Sequence, residues 1–402
     1  MPPKGQNIEN VKIINRASTL KLLLTHGPMS RSEIAAELSI TPATLTSICK
    51  DFLSKGILVQ NDERTSSGNV GRKKCPVELN YDYKYVIAVN IESVSTTISL
   101  CNLSGALLDS ITLEMDKSLP PEKFLSQMAE RCIKLLWDNH LESDRMLGVG
   151  VTVLGPVNHH EGISLNAFSI WNRPVPVQRI LEDELHIPVC VESNVCALAD
   201  ASLLYGETTE PNVLAVQWGP GVGSASIIAG ELFKGRNCQT AELGHNFIDA
   251  KGKKCRCGKI GCLETHLSVD AIVFQLEKLS NSPRENPLRD LESGIGPPSR
   301  KNIQAYLNVP FPALEEYLDT ITFRLAVVVN NAIQVLAPDH IILFGDLFSN
   351  DLLFERFKRG VFSINETIVD DMFLRSALHA QRAYIGAVAC VVRKFLVDTG
   401  GV

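Results

Sequence analysis

Three cysteines crowded into eight positions constrain the fold of this chain more than any other feature. Cys255, Cys257 and Cys262 form a Cys-x-Cys-x4-Cys run, and thiolates at this spacing fold readily around one tetrahedral ion. His245 lies ten residues before the run and is the nearest candidate for a fourth ligand. Because four protein ligands leave no open position, such an ion would be structural. A redox-active thiol cluster and a set of free cysteines are the alternatives.

The cysteine content of the whole chain argues against a disulfide framework. The 402 residues include 11 cysteines, and most of those outside the run have apolar neighbours, which is typical of small core residues. The first residues contain no apolar signal core, and no stretch reaches the roughly 18 apolar residues of a membrane-spanning helix. Because reducing compartments keep thiols free, we expect a cytoplasmic protein without membrane insertion.

The first eighty residues predict three helices. Ser30 and Glu33 are spaced as a capping box, in which each side chain satisfies a backbone N–H at the helix start. Thr41 caps the next helix, and Pro42 follows in its first turn, where a missing N–H costs nothing. An earlier amphipathic stretch at 11–25 supplies the third helix.

Two short strands are predicted after these helices, at 57–60 and 76–79, and the tip between them is rich in glycine and basic residues. Three helices followed by a basic hairpin predict a winged helix-turn-helix, whose recognition helix enters a major groove and whose wing follows phosphates. Residues 1–85 hold 12 Lys and Arg against 8 Asp and Glu, although the whole chain carries a net charge of −6. This contrast favours an anionic partner for the head. A protein-contact module is the alternative.

The candidate DNA-contacting side chains are small, hydrogen-bonding or cationic groups, and they belong to the predicted recognition helix, the helix before it and the wing. They are Arg31, Ala43, Thr44, Thr46, Ser47, Lys50, Arg72, Lys73 and Lys74.

From residue 83 on, apolar strands mix with helices, as in α/β proteins. The motifs GVTVLGPV, VESNVCALA, GPGVG, AELGH and CRCGKIGCLE, in that order behind a winged head, resemble the ROK family of sugar-responsive repressors and sugar kinases. The resemblance implies an actin-like, ribonuclease H-like ATPase fold of two α/β lobes, and the head places the chain near the glucose and N-acetylglucosamine repressors. The predicted domains are the winged head at 1–82, a first lobe at 83–190 with a C-terminal helix at 380–402, and a second lobe at 191–379 with the metal site and oligomerisation elements.

The resemblance also assigns site residues. It implies that His245 is the fourth ligand of one structural Zn2+ per chain. It further implies that Glu242 and Glu264, which bracket the metal motif, hydrogen-bond sugar hydroxyls. Carboxylates suit this task because charged acceptors form the stronger hydrogen bonds. Asn194 and His245 complete the predicted effector site. Two solvated surface glutamates are the alternative for the acidic pair.

Three positions depart from the kinases of the family. Asn90 and Glu92 stand where the kinases have the Asp-x-Gly-Gly-Thr phosphate loop, and a glutamate there would repel ATP. Asn194 stands where the kinases have their catalytic aspartate, and an amide accepts no proton at neutral pH. The glycine pair on the adenine side reads Gly345-Asp346. We therefore predict a protein that is not an enzyme.

Together these features predict a transcriptional repressor of sugar uptake or catabolism genes. The head would bind double-stranded operator DNA. A sugar or sugar phosphate in the cleft between the lobes would then change the geometry between the heads of a homodimer or tetramer. The alternatives are a ROK sugar kinase with an appended DNA-binding head and a repressor controlled by a sugar-transport protein.

Overall fold

A computed structural model of the chain describes residues 8–60, 75–168, 170–235, 242–281, 286–381 and 383–401. Its α-helices are α1 Ile8–His26, α2 Arg31–Glu37, α3 Pro42–Ser54, α4 Pro121–Asp138, α5 Val177–Leu185, α6 Asn194–Leu204, α7 Glu264–Leu267, α8 Val269–Ser280, α9 Pro287–Ile295, α10 Ile303–Leu307, α11 Pro312–Leu336, α12 Asp351–Ile364 and α13 Ile385–Val392. Its β-strands are β1 Met29–Ser30, β2 Leu58–Gln60, β3 Pro76–Leu79, β4 Tyr85–Ile91, β5 Ser95–Asn102, β6 Leu107–Glu114, β7 Met146–Val153, β8 Val157–Asn158, β9 Ile163–Ser164, β10 Val189–Ser193, β11 Val213–Trp218, β12 Val222–Ile228, β13 Glu231–Leu232, β14 His340–Phe344 and β15 Phe373–Arg375.

The first 80 residues contain α1, α2 and α3 with a small antiparallel sheet in the order β1-β3-β2. The capping box forms as predicted, since Glu33 N donates to Ser30 Oγ at 3.3 Å and Ser30 N donates to Glu33 Oε2 at 2.9 Å. Thr41 caps α3 by accepting from the backbone N of Thr44 at 3.2 Å. The apolar side of α3 is buried, with Leu45 and Phe52 both fully inaccessible.

The chain divides into two compact units, residues 1–209 with 380–402 and residues 210–379. The first unit contains a five-stranded sheet in the order β10-β7-β4-β5-β6. Strands β10, β7 and β4 are parallel, and β5 and β6 continue the sheet as antiparallel strands. Helices α4 and α5 cover an apolar core on one face. Helix α13 contacts β4, β7 and β10 and packs along α6.

The sequence-based boundary at 190/191 differs from this division. Residues 191–209 belong to the first unit because β10 pairs in register with β7 and because α6 packs against α13. The assignment of 380–402 to the first lobe agrees with the division. The separation of a head at residue 82 stays a prediction.

The second unit is built on a sheet in the order β13-β12-β11-β14-β15, in which β11, β14 and β15 are parallel. Its core contains the fully buried Trp218, which stacks edge-on with Phe348 at a ring-centroid distance of 5.4 Å. Both units therefore have the mixed α/β architecture expected from the sequence. None of the helices in the described ranges is long and apolar enough to cross a bilayer.

Candidate functional site

The cysteine run and the histidine before it come together in the second unit. The ligand atoms of His245, Cys255, Cys257 and Cys262 all lie within 4.8 Å of one another. His245 Nδ1 is 3.6 Å from Cys255 Sγ, and Cys257 Sγ is 3.6 Å from Cys262 Sγ. Tetrahedral zinc with bonds of about 2.0 Å to nitrogen and about 2.3 Å to sulfur separates its ligand atoms by about 3.5 to 3.8 Å. The four side chains therefore fit such an ion.

The backbone of the run forms a tight turn that aims the three thiols inward. Cys255 N donates to Lys259 O at 2.7 Å, and Gly258 N donates to Cys255 O at 2.9 Å. Gly261 has a φ of +70°, and a Cβ there would lie 1.8 Å from Asp249 O. No other residue fits at this position, because both the conformation and the close approach require glycine.

Two of the three thiols, those of Cys255 and Cys262, couple ion binding to proton release. Burial raises the pKa of Cys255 and raises the pKa of Cys262 to about 12. Without an ion these thiols are therefore protonated at neutral pH. Since thiolate is the metal ligand, an ion that binds here displaces the protons.

Glu264 begins α7 directly after the run and is 8% exposed. Its Oε1 accepts from Arg256 Nε at 3.0 Å, and its Oε2 accepts from Val222 N at 3.3 Å. Gly221 permits this approach, because a Cβ there would lie 2.5 Å from Glu264 Oε2. The carboxylate is thus fixed between the cysteine turn and the glycine-rich turn that precedes β12. It is not a solvated surface group.

Arg256 is a site residue that the sequence did not reveal in this role. Its position between Cys255 and Cys257 in the sequence indicates a cation that offsets thiolate charge, and it does not indicate a carboxylate partner. Arg256 and Glu264 are eight residues apart along an irregular loop, so no helical or strand periodicity in the sequence predicts that they pair. The ion pair is seen only in the folded structure.

Glu242 lies at the other side of the metal loop, immediately before the short turn Leu243–His245. This turn is held against β12, since Leu243 N donates to Ser224 Oγ at 2.9 Å. A Cβ on Gly244 would lie 2.0 Å from Val222 O, so the turn approaches the strand as closely as glycine permits. Glu242 and His245 are half-buried. The structure therefore places Glu242, His245 and Glu264 around the same strand start.

Asn194 belongs to the first unit, where it opens α6 directly after β10. Its Oδ1 accepts from Val195 N at 3.0 Å.

The ends of the neighbouring strands β4 and β7 carry polar side chains. Thr152 Oγ1 donates to Asn90 Oδ1 at 2.8 Å, and Asn90 Nδ2 donates to Glu92 Oε1 at 3.2 Å. The amide of Asn90 is therefore held by its neighbours, as a structural polar group at the carboxyl ends of parallel strands would be.

The predicted recognition helix is α3, and its candidate contact residues are all exposed. Ala43, Thr44, Thr46, Ser47 and Lys50 occupy the side of α3 opposite its buried stripe. Arg31 is half-buried at the start of α2 and donates from Nη2 to Gln60 Oε1 at 3.3 Å. The structure thus directs Arg31 toward β2. The wing candidates Arg72, Lys73 and Lys74 lie outside the described residues.

Comparison with known proteins decides the family. The sequence profile of the ROK family matches residues 86–394 of this chain. The chain belongs to the ROK family. Within it, the chain is 24% identical to the putative xylose repressor of Caldicellulosiruptor sp. (strain Rt8B.4) over 396 residues, which cover 96% of this chain and 97% of that protein. It is 25% identical over 362 residues to the DNA-binding transcriptional dual regulator NagC of Escherichia coli (strain K12), covering 87% of this chain and 86% of that protein.

A crystal structure of a ROK family transcriptional regulator, a homolog of the E. coli MLC protein, superposes with a TM-score of 0.76 at 20% identity and covers 97% of both chains. This likeness supports the ROK-type, actin-like fold of two α/β lobes. The family match begins at residue 86, whereas the alignment with the xylose repressor spans 96% of the chain. The helices that precede the ROK domain are therefore part of what this chain shares with regulators.

Proposed function

We propose that this ROK protein is a DNA-binding transcriptional repressor that a sugar or sugar phosphate releases from its operator. One observation carries the proposal. Helix α3 presents an exposed row of small and hydroxyl-bearing side chains with one lysine, and it stands ahead of a ROK domain. The resemblance to the kinases of the family implies that Asn194 takes the place of their catalytic aspartate in this domain. The names of the related repressors support the same interpretation.

In this proposal the three helices and the hairpin form a winged helix-turn-helix. Helix α3 enters the major groove, where Thr46, Ser47 and Lys50 meet base edges and phosphates. Arg31 lies beside β2 and contacts the phosphate backbone at the edge of the groove. Arg72, Lys73 and Lys74 supply the basic wing. Two heads of a homodimer or tetramer would dock on half-sites about one helical turn apart.

The metal centre is proposed to hold one structural Zn2+ through His245, Cys255, Cys257 and Cys262. The chemistry of the donor set and the 3.6 Å separations support this choice. When bound, the ion would supply four bonds that fix the turn. The cysteine turn then fixes Glu264 through Arg256, and His245 holds the segment that begins at Glu242. The centre therefore acts as a frame for two acceptors and takes no part in bond making.

Glu242, His245 and Glu264 are proposed to hydrogen-bond the hydroxyls of the effector, and the role of Asn194 as an effector contact stays a prediction. A carboxylate that neighbouring donors already hold, as Arg256 and Val222 hold Glu264, binds hydroxyls without a further loss of side-chain freedom. The position of Arg256 beside Glu264 also offers a cation near the effector, which agrees with a sugar phosphate as one of the candidates.

The absence of kinase chemistry follows from the residues at three positions. Asn194 cannot take a proton from a sugar hydroxyl, Glu92 would repel a nucleotide phosphate, and Asp346 replaces a glycine. We expect no ATP turnover above background with a panel of pentoses, hexoses and N-acetylhexosamines in a coupled assay. Turnover that Asn194→Ala abolishes would favour the alternative of a ROK kinase with a DNA-binding head.

Exchanging Ser47 and Lys50 for alanine is expected to weaken operator binding about 10- to 100-fold, because a base contact and a phosphate contact are lost. The logarithm of the operator association constant falls linearly with the logarithm of the salt concentration, and Lys50→Ala alone should make this slope about 1 less steep. The duplex is obtained by selecting a random pool on the full-length protein, and binding is measured by fluorescence anisotropy. Lys12→Ala, an exposed lysine on α1, is the matched control. Equal losses for both lysines would contradict the assignment of α3.

A thermal-shift screen with sugars and sugar phosphates identifies the effector, because a ligand that prefers the native state raises the melting temperature. We expect at least one sugar or sugar phosphate to raise the melting temperature in a saturable way. The same compound should lower the affinity for the selected duplex. Control by a sugar-transport protein would instead leave every small molecule without effect on DNA binding.

A further inference from the structure

A conspicuous contact of the first unit joins α1 to the segment that follows α13. Arg16, on α1, donates from Nε to Gly400 O at 2.5 Å and from Nη2 to Gly401 O at 3.3 Å. Its Nη1 donates to Asp51 Oδ2 on α3 at 2.7 Å, and its guanidinium lies 4.4 Å from the centroid of the Phe52 ring. One largely buried arginine thus ties together two helices of the head and a segment almost 400 residues away in sequence.

The two glycines are required where they stand. Gly400 and Gly401 have φ values of +67° and +69°, and both are buried. A Cβ on Gly401 would lie 2.8 Å from Phe52 Cε1 and 3.1 Å from Ile57 Cδ1, which are core atoms of the head. The backbone of this segment therefore fills part of the hydrophobic core of the head itself, a role that any side chain would prevent.

The opposite end of α1 is supported by α6. Thr25 Oγ1 donates to Leu203 O at 3.4 Å, near the end of α6. Gly206, with a φ of +75°, follows α6 directly, and a Cβ there would lie 2.6 Å from Thr25 O. The head therefore rests on the first lobe at two points, one at each half of α1.

The two supports form one packed body. Arg393, which follows α13, donates from Nε to Asp200 Oδ2 of α6 at 2.7 Å, and the two side chains are only 17% and 8% exposed. Gly386 on α13 brings the helices into close contact, since a Cβ there would lie 3.0 Å from the Cβ of Ala197. Because packed interiors shift as units instead of deforming continuously, we expect α6 and the segment after α13 to move together. The first residue of α6 is Asn194.

We propose that Arg16, Gly400 and Gly401 form a clamp that fixes the orientation of the DNA-binding head on the body made by α6 and α13. A change at Asn194, at one end of α6, then reaches α1 at the other end through Leu203 and through the clamp. Arg16 is a positioning residue in this scheme, since it lies behind α3 and away from the exposed face of that helix. The inference rests on the proposed function, because it assigns the route between the effector site and the head.

The test uses full-length variants and a set of duplexes that each contain two half-sites. The half-site sequence is the one that the wild-type protein selects, and the distance between the half-sites is changed by one to five base pairs. Wild type is expected to prefer one spacing at least tenfold. Arg16→Ala and Gly400→Ala should reduce this preference below threefold and leave binding to a single half-site within threefold of wild type. Asp51→Asn is the matched control, because it removes the negative charge of the ion pair with Arg16 inside the head and leaves both carbonyl contacts; it should keep the preference.

A spacing preference that survives in both clamp variants would overturn the inference. Equal losses on the single half-site and on every spacing would also overturn it, because Arg16 would then serve only the folding of the head. If wild type selects no duplex, the proposed function fails, and hydrogen exchange tests the clamp alone. Arg16→Ala should then speed exchange at the amides of Gly400 and Gly401 at least tenfold relative to Asp51→Asn, and unchanged exchange would contradict the clamp.

Discussion

Replacing Cys257 with serine is expected to remove zinc from the protein and to destabilise the unit at 210–379. A serine hydroxyl is a poor substitute for a thiolate, and three remaining ligands cannot close a tetrahedral site. Structural zinc contributes directly to folding free energy, with apparent values of about 10–16 kcal/mol in small domains. A loss of more than about 4 kcal/mol in the stability of this unit is therefore expected. Zinc per chain is measured by inductively coupled plasma mass spectrometry, and stability by denaturant unfolding.

Cys75→Ser is the matched control, because Cys75 is an exposed thiol outside the cluster. This control should keep the zinc content and stability of wild type. The head of the Cys257→Ser protein should also stay folded, since α1 to α3 are packed within the other unit. Unchanged zinc in the Cys257→Ser protein would contradict the assignment of the four ligands.

Replacing Glu264 with glutamine is expected to weaken the response to the effector strongly and to leave DNA binding intact. Glu264 is a buried carboxylate held by Arg256 and by the backbone of Val222, so its position is fixed before any ligand arrives. Glutamine keeps the shape but loses the charge and one acceptor, and hydrogen bonds to charged groups are worth about 1.5–3 kcal/mol. With the ion pair to Arg256 also lost, we expect the effector concentration at half-release to rise about 100-fold.

Release is measured as the drop in anisotropy of a labelled, selected duplex when the compound found by thermal shift is added. Glu277→Gln is the matched control, because Glu277 is an exposed glutamate on α8 in the same unit. An unchanged midpoint in the Glu264→Gln protein would show that this carboxylate does not contact the effector. A loss of duplex binding without effector would point instead to misfolding, which the zinc content and melting temperature would reveal.

Local patterns predicted the parts of the fold that depend on neighbouring residues. The capping box at Ser30 and Glu33 and the cap at Thr41 form as predicted, because cap chemistry acts within one turn of helix. The cysteine spacing predicted a cluster, and the structure assembles it with His245. Mixed strands and helices predicted the α/β class in the same way.

Contacts between segments that are distant in the chain could not be predicted from the sequence. The boundary predicted at 190/191 differs from the division of the folded chain, because nothing local shows that β10 completes the first sheet beside β7. The ion pair of Arg256 with Glu264 and the contacts of Arg16 with Gly400 and Gly401 depend on chain segments that meet only after folding. A Gly-Gly pair by itself indicates a turn, and it does not identify the core that the turn enters.

The most direct test of the account is a titration of the protein bound to its selected duplex with sugars and sugar phosphates, followed by fluorescence anisotropy. We expect the full-length protein to enrich a duplex with two related half-sites, and at least one carbohydrate to weaken this complex tenfold or more without ATP. A protein that enriches no duplex, or a complex that no sugar or sugar phosphate weakens, would contradict it.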